Sequence, residues 1–315
     1  MNAMQRKRDG DTMLDVCLLG CGGMLPLPKR DLTSMILRNQ GSNILVDCGE
    51  GNQVALYQSA FSLKHIDHMV ITHFHGDHVA GIPGLLMTIG NNMRTEPLHI
   101  WGGEGLRTIL EGLMVICPQL PFDVYLHELP FTERSQFQLG DLTVTALPVE
   151  HRVPCLAYSF QLPRQGKFDT ARAQALGIPM KQWGVLQRGQ AVEHDGRLIQ
   201  PAEVLGPARR GLKITYATDC RPSAALAELA QGSDLFIAEG LYGDPEKQSS
   251  AAEKGHMVFS EAAQLACQAE VKELWLTHYS PAMTNPAEFL QVAADIFPNT
   301  LCGDNLLAKT LRFAD

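Results

Sequence analysis

The sequence predicts an α/β fold with its chemistry collected at strand ends, on three observations. Strand-like and helix-like runs alternate along most of the 315 residues. Four of the strand-like runs end in a histidine or an aspartate. One segment, 161–213, abandons the pattern. With 45% hydrophobic residues the chain can bury a full core, and one domain with an insertion is the economical organisation. That reading gives a disordered or extended tail over 1–13 and a folded domain over 14–315.

The elements follow in chain order. Leu14-Asp15-Val16-Cys17-Leu18-Leu19-Gly20 reads as the opening strand. The turn Gly20-Cys21-Gly22-Gly23 lacks the Gly-x-Gly-x-x-Gly spacing and a phosphate-binding lysine, so it reads as backbone lying close to the site. Strands at 34–38 and 43–47 form a hairpin turned at Asn39-Gln40-Gly41, and Asp47-Cys48-Gly49-Glu50-Gly51-Asn52-Gln53 opens a helix. The alternation over 66–71 is a strand leading into Thr72-His73-Phe74-His75-Gly76-Asp77-His78, after which a loop enters a helix. Strands at 98–101 and 123–129 flank a helix over 104–116, and a strand at 143–147 delivers Pro148-Val149-Glu150-His151. Beyond the aberrant segment, a strand at 214–219 ends in Asp219, a helix spans 222–231, and a strand at 234–238 ends at Glu239. Lys254-Gly255-His256-Met257 leads into a helix at 260–269, and a strand at 274–278 ends in His278.

Three histidines and an aspartate within six residues, directly after an apolar strand, make a poor surface loop and a good metal site. In extended backbone, side chains two apart point the same way, so His73 and His75 can share one ion. Asp77 and His78, beyond the turn at Gly76, reach a second. Imidazole nitrogen and carboxylate oxygen suit zinc, and manganese or iron tolerates similar ligands. Asp219 is the natural bridging ligand, since one carboxylate can hold two ions about 3.5–4 Å apart. His278 ends the last strand as a further candidate.

Composition bounds the setting. Eight cysteines show no Cys-x-x-Cys spacing, and Cys17, Cys48, Cys117 and Cys267 lie in apolar stretches, which predicts reduced core thiols. Neither a signal sequence nor a membrane-length apolar run is evident, so a cytoplasmic protein with no membrane partner is expected. The net charge of −8 argues against a basic nucleic-acid binder overall. Over 161–213, however, nine Lys and Arg against four Asp and Glu give +5, leaving −13 for the rest. A basic insertion on an acidic body suits contact with an RNA backbone.

The His-x-His-x-Asp-His string resembles the metallo-β-lactamase superfamily signature. His151 ends a strand where that superfamily supplies another ligand. From Leu14 onward the chain resembles the ribonuclease Z family, which trims the 3′ trailer from precursor tRNA. The resemblance is carried by the 47–53 string, Thr72 to Pro83 with Gly84-Leu85-Leu86, Pro148 to Pro154, and Gly166-Lys167-Phe168-Asp169. It continues in Asp195-Gly196-Arg197, Val204-Leu205-Gly206-Pro207, Asp219-Cys220-Arg221-Pro222 and Leu276-Thr277-His278. It implies a four-layer αβ/βα sandwich and a homodimer whose inserted arm, within 161–213, grips tRNA. It also implies two zinc ions, one held by His73, His75 and His151, the other by Asp77, His78 and His278, with Asp219 bridging.

Two zinc ions would lower the pKa of a bridging water and clamp the phosphoryl oxygens. Asp77 can orient or deprotonate that water. His256 is the candidate donor to the departing ribose 3′-oxygen, with Glu239 holding its imidazole, and the resemblance assigns both the same roles. The chain departs from the family at Thr218-Asp219-Cys220, Ala238-Glu239-Gly240-Leu241, His256-Met257-Val258, the loop Pro26-Leu27-Pro28-Lys29-Arg30-Asp31 and Met180-Lys181-Gln182-Trp183. A relative hydrolysing a small phosphodiester or another ester is the alternative enzyme, and an RNA-binding protein with a damaged site is the alternative outside catalysis.

Overall fold

The computed structural model describes residues 13–314. Of the tail expected over 1–13, all but Met13 lies outside the described residues, and Met13 itself opens a strand. The first strands are β1 (Met13–Gly20), β2 (Ser34–Asn39), β3 (Ser42–Val46), β4 (Ile66–Val70), β5 (Leu98–Gly103) and β6 (Val124–Leu129). Next come β7 (Ser135–Leu139), β8 (Leu142–Val149), β9 (Cys155–Arg164), β10 (Val192–His194) and β11 (Arg197–Ile199). The last are β12 (Arg209–Ala217), β13 (Leu235–Glu239), β14 (Leu274–Thr277), β15 (Thr300–Cys302) and β16 (Leu307–Arg312).

The chain divides into two compact units, one running to Gln161 and resuming at Lys213, the other Leu162–Leu212. The first unit holds two seven-stranded sheets, ordered β16-β1-β2-β3-β4-β5-β6 and β15-β14-β13-β12-β9-β8-β7. Alternation places Cys17 and Leu19 of β1 in one core with Leu56, Leu85, Leu86 and Leu110 from the covering helices. Val16 and Leu18 point the other way and are equally buried. There a Cβ on Gly303, just past β15, would collide with Leu18 at 2.5 Å, so the sheets pack face to face. Helix Phe259–Gln268 and its neighbours cover the outer face of the second sheet. These are the layers of the expected four-layer sandwich.

Strands β3 to β6 and β12 to β15 pair in parallel within their sheets. Parallel strands need crossover connections and align their C-terminal ends on one edge, where sites form. Because both faces are covered, β13 and β14 are buried at every position, which is why they read as unbroken apolar runs. Strands β7, β9, β15 and β16 of these sheets lie outside the predicted ones. The apolar run of β9 lacks alternation, and β16 acquires its register only by pairing Arg312 with Met13 across the whole chain.

The second unit is more than a charged excursion. Ala173, Ile178, Leu186, Val192, Ile199 and Val204 form a core of their own, with Phe168 and Trp183 packed on it. Asp169 caps the helix Thr170–Ala175 by accepting from the Arg172 N–H. Strands β10 and β11 turn at Asp195-Gly196, both at positive φ, the sequence chemistry a two-residue hairpin requires.

All eight cysteines are free. Cys17 and Cys48 are buried as expected, but Cys117 is half-buried and Cys267 exposed, because helix Phe259–Gln268 turns that position outward. Among the described residues, no helix is long and apolar enough to cross a membrane.

Candidate metal centre

The strand entering the ligand run stops at Val70, three residues before His73. His73 and His75 therefore lie on the loop beyond it, His75 still with extended φ and ψ, and Asp77 and His78 lie on a one-turn helix, Gly76–Val79. His151 follows β8, Asp219 follows β12, Glu239 is the last residue of β13 and His278 comes directly after β14. Asp219 and His278 sit at φ 53° and 58°. Left-handed backbone is uncommon for such residues and costs roughly 1–2 kcal/mol each, held here by the ends of buried strands.

The seven expected ligands converge. His73, His75, His151 and Asp219 offer one ligand atom each, all within 4.8 Å of one another, and so do Asp77, His78 and His278. The two carboxylate oxygens of Asp219 divide between the clusters. Oδ1 lies 3.9 Å from His73 Nε2 and 3.8 Å from His151 Nε2. Oδ2 lies 3.3 Å from His78 Nε2 and 3.2 Å from His278 Nε2. Asp77 Oδ2 stands 3.6 Å from the Nε2 atoms of both His78 and His278.

The supporting contacts orient the imidazoles. Asp47 Oδ2 is 2.9 Å from His78 Nδ1, and the carbonyl of Gly255 is 3.0 Å from His151 Nδ1. These oxygens only accept, so each Nδ1 carries the proton and each Nε2 turns a lone pair inward. The Thr72 hydroxyl donates to Asp47 and its oxygen faces His73 Nδ1 at 3.0 Å, extending the same logic. The buried Nε2 atoms of His78, His151 and His278 have no hydrogen-bond partner. Leaving buried imidazole nitrogens unpaired is costly unless a cation takes the lone pairs, so the donor set fits divalent metal.

The charges agree. Burial, with His78 alongside, drives His73 well below the ordinary histidine value, and burial likewise lowers His75 and His151, favouring the neutral form that binds metal. Burial opposes ionisation of Asp219, but His278, His78 and His73 outweigh it and hold the carboxyl well below the usual range. Burial opposes ionisation of Asp77 too, and His278 and His78 again prevail and hold it low.

The glycine turn lies against the site, as expected. A Cβ on Gly23 would meet the His278 ring at 2.7 Å, and the neighbouring Met24 N–H donates to Asp77 Oδ2 at 2.7 Å. Glu239 and His256 also meet: Glu239 Oε2 is 3.0 Å from His256 Nδ1. Burial disfavours the imidazolium, yet Glu239 prevails and raises the His256 pKa. His256 falls within 4.8 Å of ligand atoms on Asp219 and His278 too, but its Nδ1 is committed to Glu239.

The unusual residues around these groups have local reasons. The Thr218 hydroxyl donates to Asp219 Oδ2 at 2.7 Å. Cys220 donates to Glu239 through its backbone N–H, so that bond does not depend on which side chain stands there. Gly240 leaves room for the Phe259 ring, which a Cβ would strike at 2.5 Å. Sequence reasoning missed the role of Asp47, although it opens the 47–53 string and its φ of 60° marks a special position.

A family model described as "Anti-Pycsar protein Apyc1" matches residues 14–175. The ribonuclease Z of Clostridium acetobutylicum is 47% identical over 307 residues, covering 96% of this chain and 99% of that relative. The ribonuclease Z of Lachnoclostridium phytofermentans is 47% identical over 301 residues, with the same coverage. Among solved structures, human tRNase Z, short form, aligns with a TM-score of 0.68 at 25% identity, over 94% of this chain and 98% of that one. The metallo-β-lactamase fold protein YhfI from Bacillus subtilis aligns at 0.67 with 19% identity, over 95% of this chain and all of its own, a likeness of fold.

Proposed function

The chain belongs to the ribonuclease Z family of the metallo-β-lactamase fold and is a metal-dependent endoribonuclease of tRNA 3′ processing; from that premise we propose that it removes the trailer of precursor tRNA with two zinc ions. His73, His75 and His151 would hold one ion and Asp77, His78 and His278 the other, with Asp219 set between the two clusters. The observation that carries this reading is the division of Asp219, one oxygen toward each histidine cluster. When bound, the ions supply a Lewis acid for the phosphoryl oxygens and bring the pKa of water toward neutrality.

The chain's own residues supply the proton traffic. Asp77, half-buried and fixed by the Met24 N–H, accepts from the attacking water and aims it at phosphorus. The water oxygen bonds to phosphorus, its proton passing to Asp77, as the bond to the ribose 3′-oxygen breaks. His256 donates its Nε2 proton to that departing oxygen, leaving a 3′-hydroxyl on the tRNA and a 5′-phosphate on the trailer. Glu239 holds the Nδ1 side of the ring, so the imidazolium is stabilised until transfer.

The basic second unit grips tRNA in this reading. The chain works as a cytoplasmic homodimer: its thiols are free, and Val54 and Tyr57 of helix Asn52–Gln58 are exposed apolar side chains, as is Met93, whose neighbour Asn92 donates to the Tyr57 hydroxyl. The test is incubation of zinc-loaded and chelator-stripped protein with end-labelled precursor tRNA. Cleavage at the trailer junction that zinc restores is the expected result. Hydrolysis of a chromogenic phosphodiester with the precursor left intact would assign the site to small substrates instead.

A further inference from the structure

We propose that Arg221 is a positioning residue that fixes the proton donor His256 relative to the bridging carboxylate of Asp219. The proposal rests on the reading of His256 as the acid that protonates the leaving oxygen. Asp219, Cys220 and Arg221 are consecutive, and each addresses a different part of the machinery. Asp219 faces both histidine clusters. The Cys220 N–H donates to Glu239, the partner of His256. The Arg221 N–H donates to the Glu150 carbonyl at 2.9 Å, next to His151.

The Arg221 side chain reaches across to the segment that carries His256. Its Nη1 donates to the His256 carbonyl and, at 3.1 Å, to Glu261 Oε2, while Nη2 donates to Glu261 Oε1 at 2.7 Å. Glu261 in turn accepts from the Val258 N–H at 3.0 Å and from Gln248 at 3.0 Å. Glu239 also accepts from the Met257 N–H at 3.1 Å. Residues 256–258 are thus held from two sides, the ring and the Met257 amide by Glu239, the flanking backbone groups by Arg221 and Glu261.

With both Nη atoms committed to protein acceptors, the guanidinium is engaged in holding backbone rather than in binding a phosphate. A lysine carries its three donors on a single nitrogen and lacks the planar fork that lets the guanidinium meet both Glu261 oxygens and the His256 carbonyl together. Misplacing a proton donor by about 1 Å is enough to cost on the order of a hundredfold in rate.

The experiment compares wild type, R221K, E261Q, H256A and the double variant H256A/R221K, each with zinc content measured, on two substrates. Precursor tRNA departs through a ribose alkoxide that needs a proton, whereas bis(p-nitrophenyl) phosphate departs through a phenolate that does not. The readout is the ratio of kcat on tRNA to kcat on the nitrophenyl ester. The ratio falls by about 100-fold or more in H256A and by roughly 10- to 100-fold in R221K, with KM for tRNA and zinc content held. E261Q lowers it in the same direction, and the double variant is no worse than H256A alone. A normal ratio in R221K beside a collapsed one in H256A overturns the role of Arg221 and leaves the acid assignment standing. A normal ratio in H256A overturns the acid assignment and, with it, this inference. Loss of zinc, or equal loss on both substrates in R221K and E261Q, makes the Arg221 bonds merely structural and also refutes the proposal.

Discussion

Asp47→Asn tests the orientation argument at the metal centre without removing a ligand. Asp47 is buried, and its carboxylate takes hydrogen bonds from His78 Nδ1 at 2.9 Å and from the Thr72 N–H at 2.9 Å. Asparagine tolerates the left-handed backbone at this position better than alanine does, so the swap isolates chemistry from strain. Its amide oxygen can still accept from Thr72, but its NH₂ group then faces His78 Nδ1–H, donor against donor. Relief requires His78 to move its proton to Nε2, the atom that faces Asp219 and Asp77, or to turn away. A hydrogen bond to a charged group contributes about 1.5–3 kcal/mol, which converts to roughly a 10- to 150-fold loss of affinity for the ion beside His78. The ion beside His73 keeps its support from Thr72 and is weakened far less. Competition with a chromophoric chelator, followed by metal analysis, resolves the two release steps. Equal weakening of both steps, or no weakening of either, would refute the claim that Asp47 sets the His78 tautomer.

Three further outcomes follow from other parts of the molecule. Gly23→Ala puts a methyl group 2.7–2.9 Å from ring atoms of His278, so it displaces that imidazole and lowers the zinc stoichiometry while far-UV circular dichroism stays native. Replacing Lys167, Lys181 and Arg188 by glutamine weakens tRNA binding, and every phosphate no longer neutralised reduces the slope of log K against log salt by about 0.7–0.9; an unchanged slope in filter binding would remove the second unit from the tRNA interface. The third outcome concerns acid stability. Burial opposes ionisation of Glu261, but its bonds with Arg221, Val258 and Gln248 lower the carboxyl below its ordinary value of 4.5. A depressed folded pKa means the contribution is full above the unfolded value and fades as pH falls through the folded one. Urea unfolding of Glu261→Gln therefore shows a shallower loss of stability below pH 4.5 than wild type, and parallel curves would contradict that sign.

The candidate site was legible in unequal measure. His73, His75, Asp77 and His78 announce themselves because three histidines and an aspartate compressed into six residues have few physical uses other than the proposed metal site. Asp219 and His278 could be picked out as strand-end residues, since buried parallel strands are apolar runs whose last polar residue stands out, and His151 follows the alternating, antiparallel β8. The spacing separated His73 and His75 from Asp77 and His78, and the family strings assigned His151 to the first pair and His278 to the second. Less legible were the groups that act through backbone or from afar. Asp47 meets His78 from 31 positions away, and Arg221 meets the His256 carbonyl from 35. Neither pairing has a spacing or a periodicity to reveal it. The second unit showed the same limit: its charge excess was countable, whereas its core of Ala173, Ile178, Leu186 and Val192 emerges from short elements with little pattern of their own.

By itself, then, the order of residues determined the strand and helix alternation, the strand-end donors and the kinship they carry, because each depends on neighbours within a few positions. Only the tertiary structure decided that Asp219 turns one oxygen to each cluster, which nitrogen of His78 and of His151 faces inward, and that His256 is gripped from both sides. Those facts depend on chain segments far apart in sequence meeting within hydrogen-bond distance, and burial makes an unmade hydrogen bond there expensive enough to fix a single arrangement.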